Sequence, residues 1–474
     1  MGIQNKAKAA RARSIISQVM KRAGIFLILI LSGSFAWLGG QEASLENYIR
    51  EGLENNLALK QKEGNYQKSL QVLKQARAWF YPEISMNLRY SVAEGGRIIE
   101  FPVGTMLNPV YHTLNSLLGQ EYFSDISDVE FAFYRPTEHD TKLRMVQPIL
   151  DPKIVYNARI NREISHAMRA DADAYQRQLV ADIKTAYFNY LKTIRLMQLL
   201  EDTRELLQEN IRVNEKLFEN DKVTIDNVHR SRAELSKLEQ QAAVARKNNQ
   251  VAAAYFNFLL NRPFETEIVM DARYDSVGGL PAMDALATRA VESREELDML
   301  KSYSRAAGDY LKMNRADHLP NLYAAVDYGF QGEHYEFNKS QDYVLASLVL
   351  RWDIFHGFEK KARISQAKIE MDLRASQLEE TEQQIRLQAL EAYYDWLASA
   401  GSVNAARDEL QSARDAFRVV NRKYGEGQSP LIEFIDARTG MTQAEERLII
   451  SNYDYLIKYA ELERAACLYP LNEK

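Results

Sequence analysis

The sequence predicts a mainly α protein with a membrane β-barrel portion, built from two tandem repeats that each give a β-hairpin and a long coiled helical hairpin. Three observations carry this expectation. First, segments recur. Ala186-Tyr187-Phe188-Asn189-Tyr190-Leu191 returns as Ala392-Tyr393-Tyr394-Asp395-Trp396-Leu397, Ala158-Arg159-Ile160 as Ala362-Arg363-Ile364, and the segment from Arg77 to Pro82 as Arg315 to Pro320. The copies lie roughly 205 to 240 residues apart, so each half is one large unit. Second, no proline or glycine occurs between Lys153 and Arg262, which long helices require and compact sheet domains do not. Third, four short segments alternate apolar and polar residues with period two.

In chain order, residues 1–40 read as a signal peptide. The apolar run from Ile25 extends to about Leu38, follows Lys21-Arg22 and precedes Gly39-Gly40-Gln41. It is shorter than the about 20 residues a membrane span needs, and its flanks are those of an export signal. Met20 is an alternative start. Without the cations Lys6, Lys8, Arg11, Arg13, Lys21 and Arg22, the formal charge of −5 becomes −11 (−5 − 6). An acidic exported chain is a poor nucleic-acid binder. Its 46% hydrophobic content and mean hydropathy of −0.40 exclude a polytopic helical membrane protein. The single Cys467 allows no intrachain disulfide and reads as a small buried apolar residue.

The first repeat covers residues 41–262. It opens with a helix from Ser44, a capping residue, to Ala78, carried by Leu45, Ile49, Leu53, Leu57 and Leu59. Pro82 ends it. A strand over 83–91 places Ile84, Met86, Leu88 and Tyr90 on one face, and a second over 141–147 sets Leu143 and Met145 against Lys142 and Arg144. The helical hairpin over 153–262 turns at Glu219-Asn220-Asp221-Lys222. An inter-repeat segment, 263–285, leads to the second repeat, 286–468. Its strands are 321–330 and 343–353, and its helical hairpin, 359–468, turns at Gly425 to Pro430. A short tail, 469–474, follows. The seven-residue spacing of Ile160, Ala167, Ala174 and Ala181, and of Ile364, Met371, Leu378, Ile385 and Ala392, predicts left-handed supercoiling. The loop over 92–140 is too long for an ordinary connection; its apolar content predicts folding over a barrel mouth or packing on a neighbouring copy.

Four strands cannot close a barrel, and an open edge in lipid leaves backbone groups unpaired, so other copies must supply strands. Trp79, Phe80 and Tyr81 before the first strand, with Trp352 and Phe355 at the end of the fourth, fit an aromatic girdle at one membrane interface; the other reading is core aromatics at domain junctions. Catalytic and cofactor chemistry is not indicated. Asp171-Ala172-Asp173 lacks the rest of a calcium loop, and Glu138-His139-Asp140 reads as a polar loop rather than a metal site. No phosphate loop, nucleophile elbow or basic stripe is present, so the chain does not read as an enzyme and carries no expected cofactor or metal.

Leu57-Ala58-Leu59-Lys60, the Arg77 to Pro82 segment, Trp352-Asp353-Ile354-Phe355-His356-Gly357 and the two hairpin tips together resemble the TolC-like outer-membrane efflux proteins, from about Ser44 to Cys467. The resemblance implies a homotrimer in the outer membrane of a Gram-negative bacterium, with a shared twelve-stranded barrel and a periplasmic α-helical barrel. It implies a passive exit duct for efflux or type I secretion, in contact with outer-membrane lipid. The partners would be a periplasmic adaptor (membrane fusion protein) and an inner-membrane pump of RND, ABC or MFS type. The family's tip pattern aligns with Gly427 to Phe434 and with Asp221 to Val228; Asp221 stands where glycine is usual, which leaves the geometry of that turn open. By resemblance, Glu433 and Asp436 line the pore constriction, with Tyr424, Ser429 and Asn227 at the positions of the latch, whose charged members are missing here. The bland alternative is that Glu433 and Asp436 complement a helix dipole. Val223, Thr224, Ile225, Gly427, Pro430 and Leu431 are the expected adaptor-docking residues. The rival reading is a periplasmic coiled-coil scaffold or adaptor that enters no membrane.

Overall fold

A computed structural model describes residues 45–270 and 282–471; the expected signal peptide and the Ser44 cap lie outside the described residues. The first repeat gives α1 (Leu45–Asn55), α2 (Leu57–Ala78), β1 (Glu83–Val92), β2 (Ile98–Phe101), α3 (Val103–Leu118), β3 (Val129–Ala132), β4 (Thr137–Leu150), α4 (Pro152–Glu219) and α5 (Ile225–Leu259). The second gives α6 (Met283–Ser293), α7 (Glu295–Ala316), β5 (Asn321–Gly332), β6 (Asp342–Arg351), α8 (Glu359–Gly425) and α9 (Leu431–Ala465). The duplication survives in element length: α1 and α6 have 11 residues each, α2 and α7 have 22, and α5 and α9 have 35.

The single helix expected to Ala78 is two helices. Asn56 leaves the helical region (φ −56°, ψ 127°), and its side-chain oxygen accepts from the Leu59 amide at 3.0 Å. An asparagine that caps a new helix outcompetes the apolar spacing that runs straight through it. Arg294 makes the same break between α6 and α7 (φ −74°, ψ 123°). The second and fourth strands also differ from expectation: β4 is longer at both ends, and β6 stops before Trp352. Glu138, His139 and Asp140 lie within β4 rather than in a loop, with His139 buried against the Tyr335 ring at 4.4 Å.

All four long-helix turns that close a hairpin or a repeat use one device. Asp221, Asn261, Gly427 and Cys467 have positive φ (51°, 54°, 72° and 53°). In each, the next amide reaches back five residues: Lys222 to the Leu217 carbonyl (2.8 Å), Arg262 to Asn257 (3.1 Å), Gln428 to Lys423 (2.8 Å) and Leu468 to Glu463 (2.9 Å). This is the Schellman closure, which satisfies the last helical carbonyls. The positions keep the repeat offset of 206 residues (427 − 221 and 467 − 261). Asp221 therefore adopts the turn that glycine makes in the second tip, since a short polar side chain tolerates the left-handed region.

The chain folds into two compact units, each drawing on both repeats. The first comprises residues 45–54, 182–270 and 403–457. Its core includes the Tyr48, Tyr187 and Phe256 rings, with Tyr48 edge-on to Phe256 at 5.1 Å, and Gly52, where any Cβ would strike Ile183. The second unit comprises residues 55–181, 282–402 and 458–471 and holds the sheet. There α6 packs Leu286 on Leu462 and Ala466, while Ala290 and Leu297 meet Ile385 and Ala389. Arg177 forks onto Glu295 and donates to the Tyr469 carbonyl at 2.9 Å, and Arg294 pairs with Glu296 at 2.7 Å. Cys467 is buried, and burial pushes its thiol up to about 11.

Candidate functional site

The strands run β1-β4-β5-β6, each antiparallel to its neighbour. Register aligns like with like. Met86, Leu143, Tyr328 and Val344 form one cross-strand row, and Ile84, Met145, Val326 and Ala346 the next. The intervening rows hold Asn87, Lys142, Gly329 and Tyr343, then Ser85, Arg144, Asp327 and Leu345. On that polar face Lys142 pairs with Asp140 at 2.8 Å, Tyr343 donates to Asp140 at 3.0 Å and Arg144 approaches Asp327 at 3.6 Å. The apolar rows are not covered by the rest of the chain: Ile84, Met86, Leu88, Val344, Leu348 and Leu350 all stand open. Leaving such a side chain in water forgoes about 1.5–3 kcal/mol each. Among the described residues, the outer edges of β1 and β6 pair with no strand.

The strand ends that lead into α2, α4, α7 and α8 all meet at one end of the sheet, as the register of Glu83 with Val146 and Asn321 with Arg351 requires. There Trp79, Phe80, Tyr81, Trp352 and Phe355 are all exposed. Trp352 Nε1 donates to the His318 carbonyl at 3.0 Å, which fixes the indole, and Gln147 donates to the Phe80 carbonyl at 3.0 Å. Among the described residues, no helix is long and apolar enough to cross a membrane.

The hairpin tips lie in the first unit. The α8/α9 tip is apolar: Leu431, Phe434 and Ile435 form a buried cluster with Leu206, Phe417, Val420 and Tyr424 around it. Tyr424 stacks on Phe434 at 4.8 Å, and Phe417 lies 5.7 Å from the same ring. The α4/α5 tip is polar inside. Asn214, fully buried, donates to the Asn210 carbonyl at 2.9 Å; Ser231 donates to Asn210 Oδ1 at 2.8 Å. The Tyr424 hydroxyl joins the two tips by donating to Asn214 Oδ1 at 2.9 Å.

The expected site residues thus divide. Glu433 and Asp436 are exposed, and Glu433 accepts from the Ser429 hydroxyl within the first turn of α9. Asn227 is half-buried, and its amide donates to the Thr224 carbonyl at 3.0 Å. Ile225 (44% exposed), Thr224, Gly427 and Pro430 are on the surface, and Val223 is half-buried. Leu431 does not belong with them. It is 4% exposed and serves the tip core, because the first turn of α9 rolls it onto Phe434 and away from solvent. Ser429 is buried too.

Sequence reasoning missed two features. One is the Asn210–Asn214–Ser231 network, whose signal is two asparagines at helical i, i+4 spacing on an otherwise apolar seam. The other is Arg438. It is 5% exposed, borders a 530 Å³ cavity between α4, α5 and α9, and faces Glu234 at 3.6 Å. Burial holds its guanidinium below the ordinary arginine range, against the pull of Glu234. Among the described residues, no cluster of histidine, cysteine and carboxylate side chains forms a metal site.

Comparison with known proteins agrees with this architecture. Residues 286–467 match the model of the family described as "Outer membrane efflux protein". The chain is 21% identical to outer membrane protein TolC of Escherichia coli K12 over 313 residues, 63% of each chain. It is 18% identical to TolC of Salmonella enteritidis over 468 residues, 96% of this chain and 88% of that one. Among solved structures, the outer membrane protein VceC of Vibrio cholerae superposes with a TM-score of 0.72 at 14% identity, covering 91% of this chain and 97% of that one.

Proposed function

We propose that this chain, which is similar to outer membrane efflux proteins over residues 286–467 and shares a fold with a solved outer membrane protein over nearly all of its length, is a trimeric outer-membrane channel that serves as a passive exit duct. The sheet carries this reading. A four-stranded sheet with a continuous exposed apolar face, a charged opposite face and two open edges is one part of a lipid-facing barrel whose lumen is wet. Edges left open in hydrocarbon cost several kcal/mol for each unpaired backbone group, so β6 of one copy pairs with β1 of the next. Three copies give twelve strands, and the long helices extend the duct into the periplasm.

In this reading the channel docks a periplasmic adaptor fed by an inner-membrane pump of RND, ABC or MFS type, or a type I secretion transporter. Val223, Thr224, Ile225, Gly427 and Pro430 form the docking surface at the tips; Leu431 supports it from beneath. Three copies of Glu433 and Asp436 ring the periplasmic mouth, and threefold symmetry concentrates their charge. A scaffold outside the membrane would have no use for the exposed apolar strand rows. The test is reconstitution: purified protein should stay with membranes through a carbonate wash and conduct ions in planar bilayers without nucleotide. Release by carbonate, with no conductance, would favour the scaffold.

A further inference from the structure

Between β1 and β4, residues 93–136 hold the small β2–β3 ladder and α3. Four polar residues of α3, Thr105, Asn108, His112 and Asn115, follow a 3-4-3 spacing, which puts them on one face. That face is bolted to the return segment. The Thr105 hydroxyl donates to Asp128 at 2.7 Å, Asn108 exchanges two hydrogen bonds of 2.9 Å with Ile126, and His112 meets Asp125. Asn115 accepts the Tyr122 and Phe123 amides at 3.0 Å. Gly104 allows this approach, since a Cβ there would strike the Ile126 carbonyl. The helix is therefore inside out. Its polar face is spent on its own chain, and Met106, Val110, Leu114 and Leu117 point outward and are exposed.

We infer that the α3 helices of three copies pack on one another through Met106, Val110, Leu114 and Leu117, forming a cap over the outer mouth of the barrel. This rests on the trimeric-channel reading. The insertion leaves the sheet from β1, an edge strand, so it stands at the seam where copies meet. The helix contains no Asp, Glu, Lys or Arg, so identical faces meet without like-charge repulsion. A ring of identical contacts closes under threefold symmetry. Lipid is a poorer occupant. Residues 93–136 carry six carboxylates against Arg97 and Arg135, whereas helices that lie on membranes are rich in Lys and Arg.

Cys467 is buried, so a cysteine placed on α3 is the reactive thiol of the folded protein. Val110→Cys and Leu117→Cys are made singly in the full chain, with Ser116→Cys, about 120° round the helix from Val110, as control. Particle mass in detergent is measured for each. Oxidation should convert the first two to covalent dimers and leave Ser116→Cys uncross-linked, and a three-armed maleimide should join three chains. If particles hold three chains but neither variant cross-links, or a lipid-borne maleimide labels Val110→Cys in vesicles, the cap is overturned and the trimer stands. Particles of one chain would remove the trimer reading and the cap with it.

Discussion

Replacing Tyr424 with Phe isolates one hydrogen bond between the two hairpin tips. The ring remains stacked on Phe434, so packing is unchanged, and only the 2.9 Å bond from the hydroxyl to Asn214 Oδ1 is lost. Asn214 is fully buried, so no water takes the place of the missing donor. Stranding a buried acceptor costs about 1–3 kcal/mol. A cost of about 1.4 kcal/mol, within that range, is a factor of about ten in the tip-opening equilibrium. Hydrogen exchange read by mass spectrometry should show amides at 206–231 and 417–436 exchanging about tenfold faster in Tyr424→Phe, with the sheet unaffected. Single-channel records should show longer open times. Tyr424→Ala, which also removes the ring, should cost roughly 3–5 kcal/mol and loosen the whole Leu431 cluster. Unchanged tip exchange in Tyr424→Phe would show that the hydroxyl does not join the tips.

Glu433→Gln with Asp436→Asn should abolish cation preference and block by trivalent cations in planar bilayers; unchanged selectivity would make both ordinary residues of a helix start. Ile225→Asp should stop export while trimer and membrane insertion persist, whereas Leu431→Ala should destabilise the tip by about 2–5 kcal/mol through the cavity it leaves; normal export in Ile225→Asp would remove that position from the docking surface. The Cys467 thiol is raised from 9.0 to about 11 by burial, so its contribution to stability is complete below pH 9 and fades as pH climbs through 11. Aromatic disulfide reagents at pH 8 should leave native Cys467 unmodified and react once the protein is unfolded; rapid native labelling would contradict its burial.

Much of this was legible because the periods are physical. Ile84, Met86, Leu88 and Tyr90 alternate only if one strand face is apolar, and the register places them beside Leu143 and Met145 as the pattern requires. The hairpin turns were visible as short polar breaks near the middle of each long helical stretch. What stayed hidden depended on competition that spacing does not record. Asn56 sits in an unbroken helical pattern and ends it through a cap. Leu431 looks the same in sequence whether a helix start rolls it outward or onto Phe434. Asp221 reads as a defect in a glycine turn, although its backbone makes the same closure as Gly427. In the long insertion the apolar content was plain, but α3 shows its inverted faces only when the spacing of its polar residues is read instead.

The central claim is that the sheet of one chain is a part and not a whole. Native mass measurement of the detergent-extracted protein tests it most directly. The account predicts particles of three chains, because the outer edges of β1 and β6 have no partner strand among the described residues. A stable, conducting particle of one chain would contradict it.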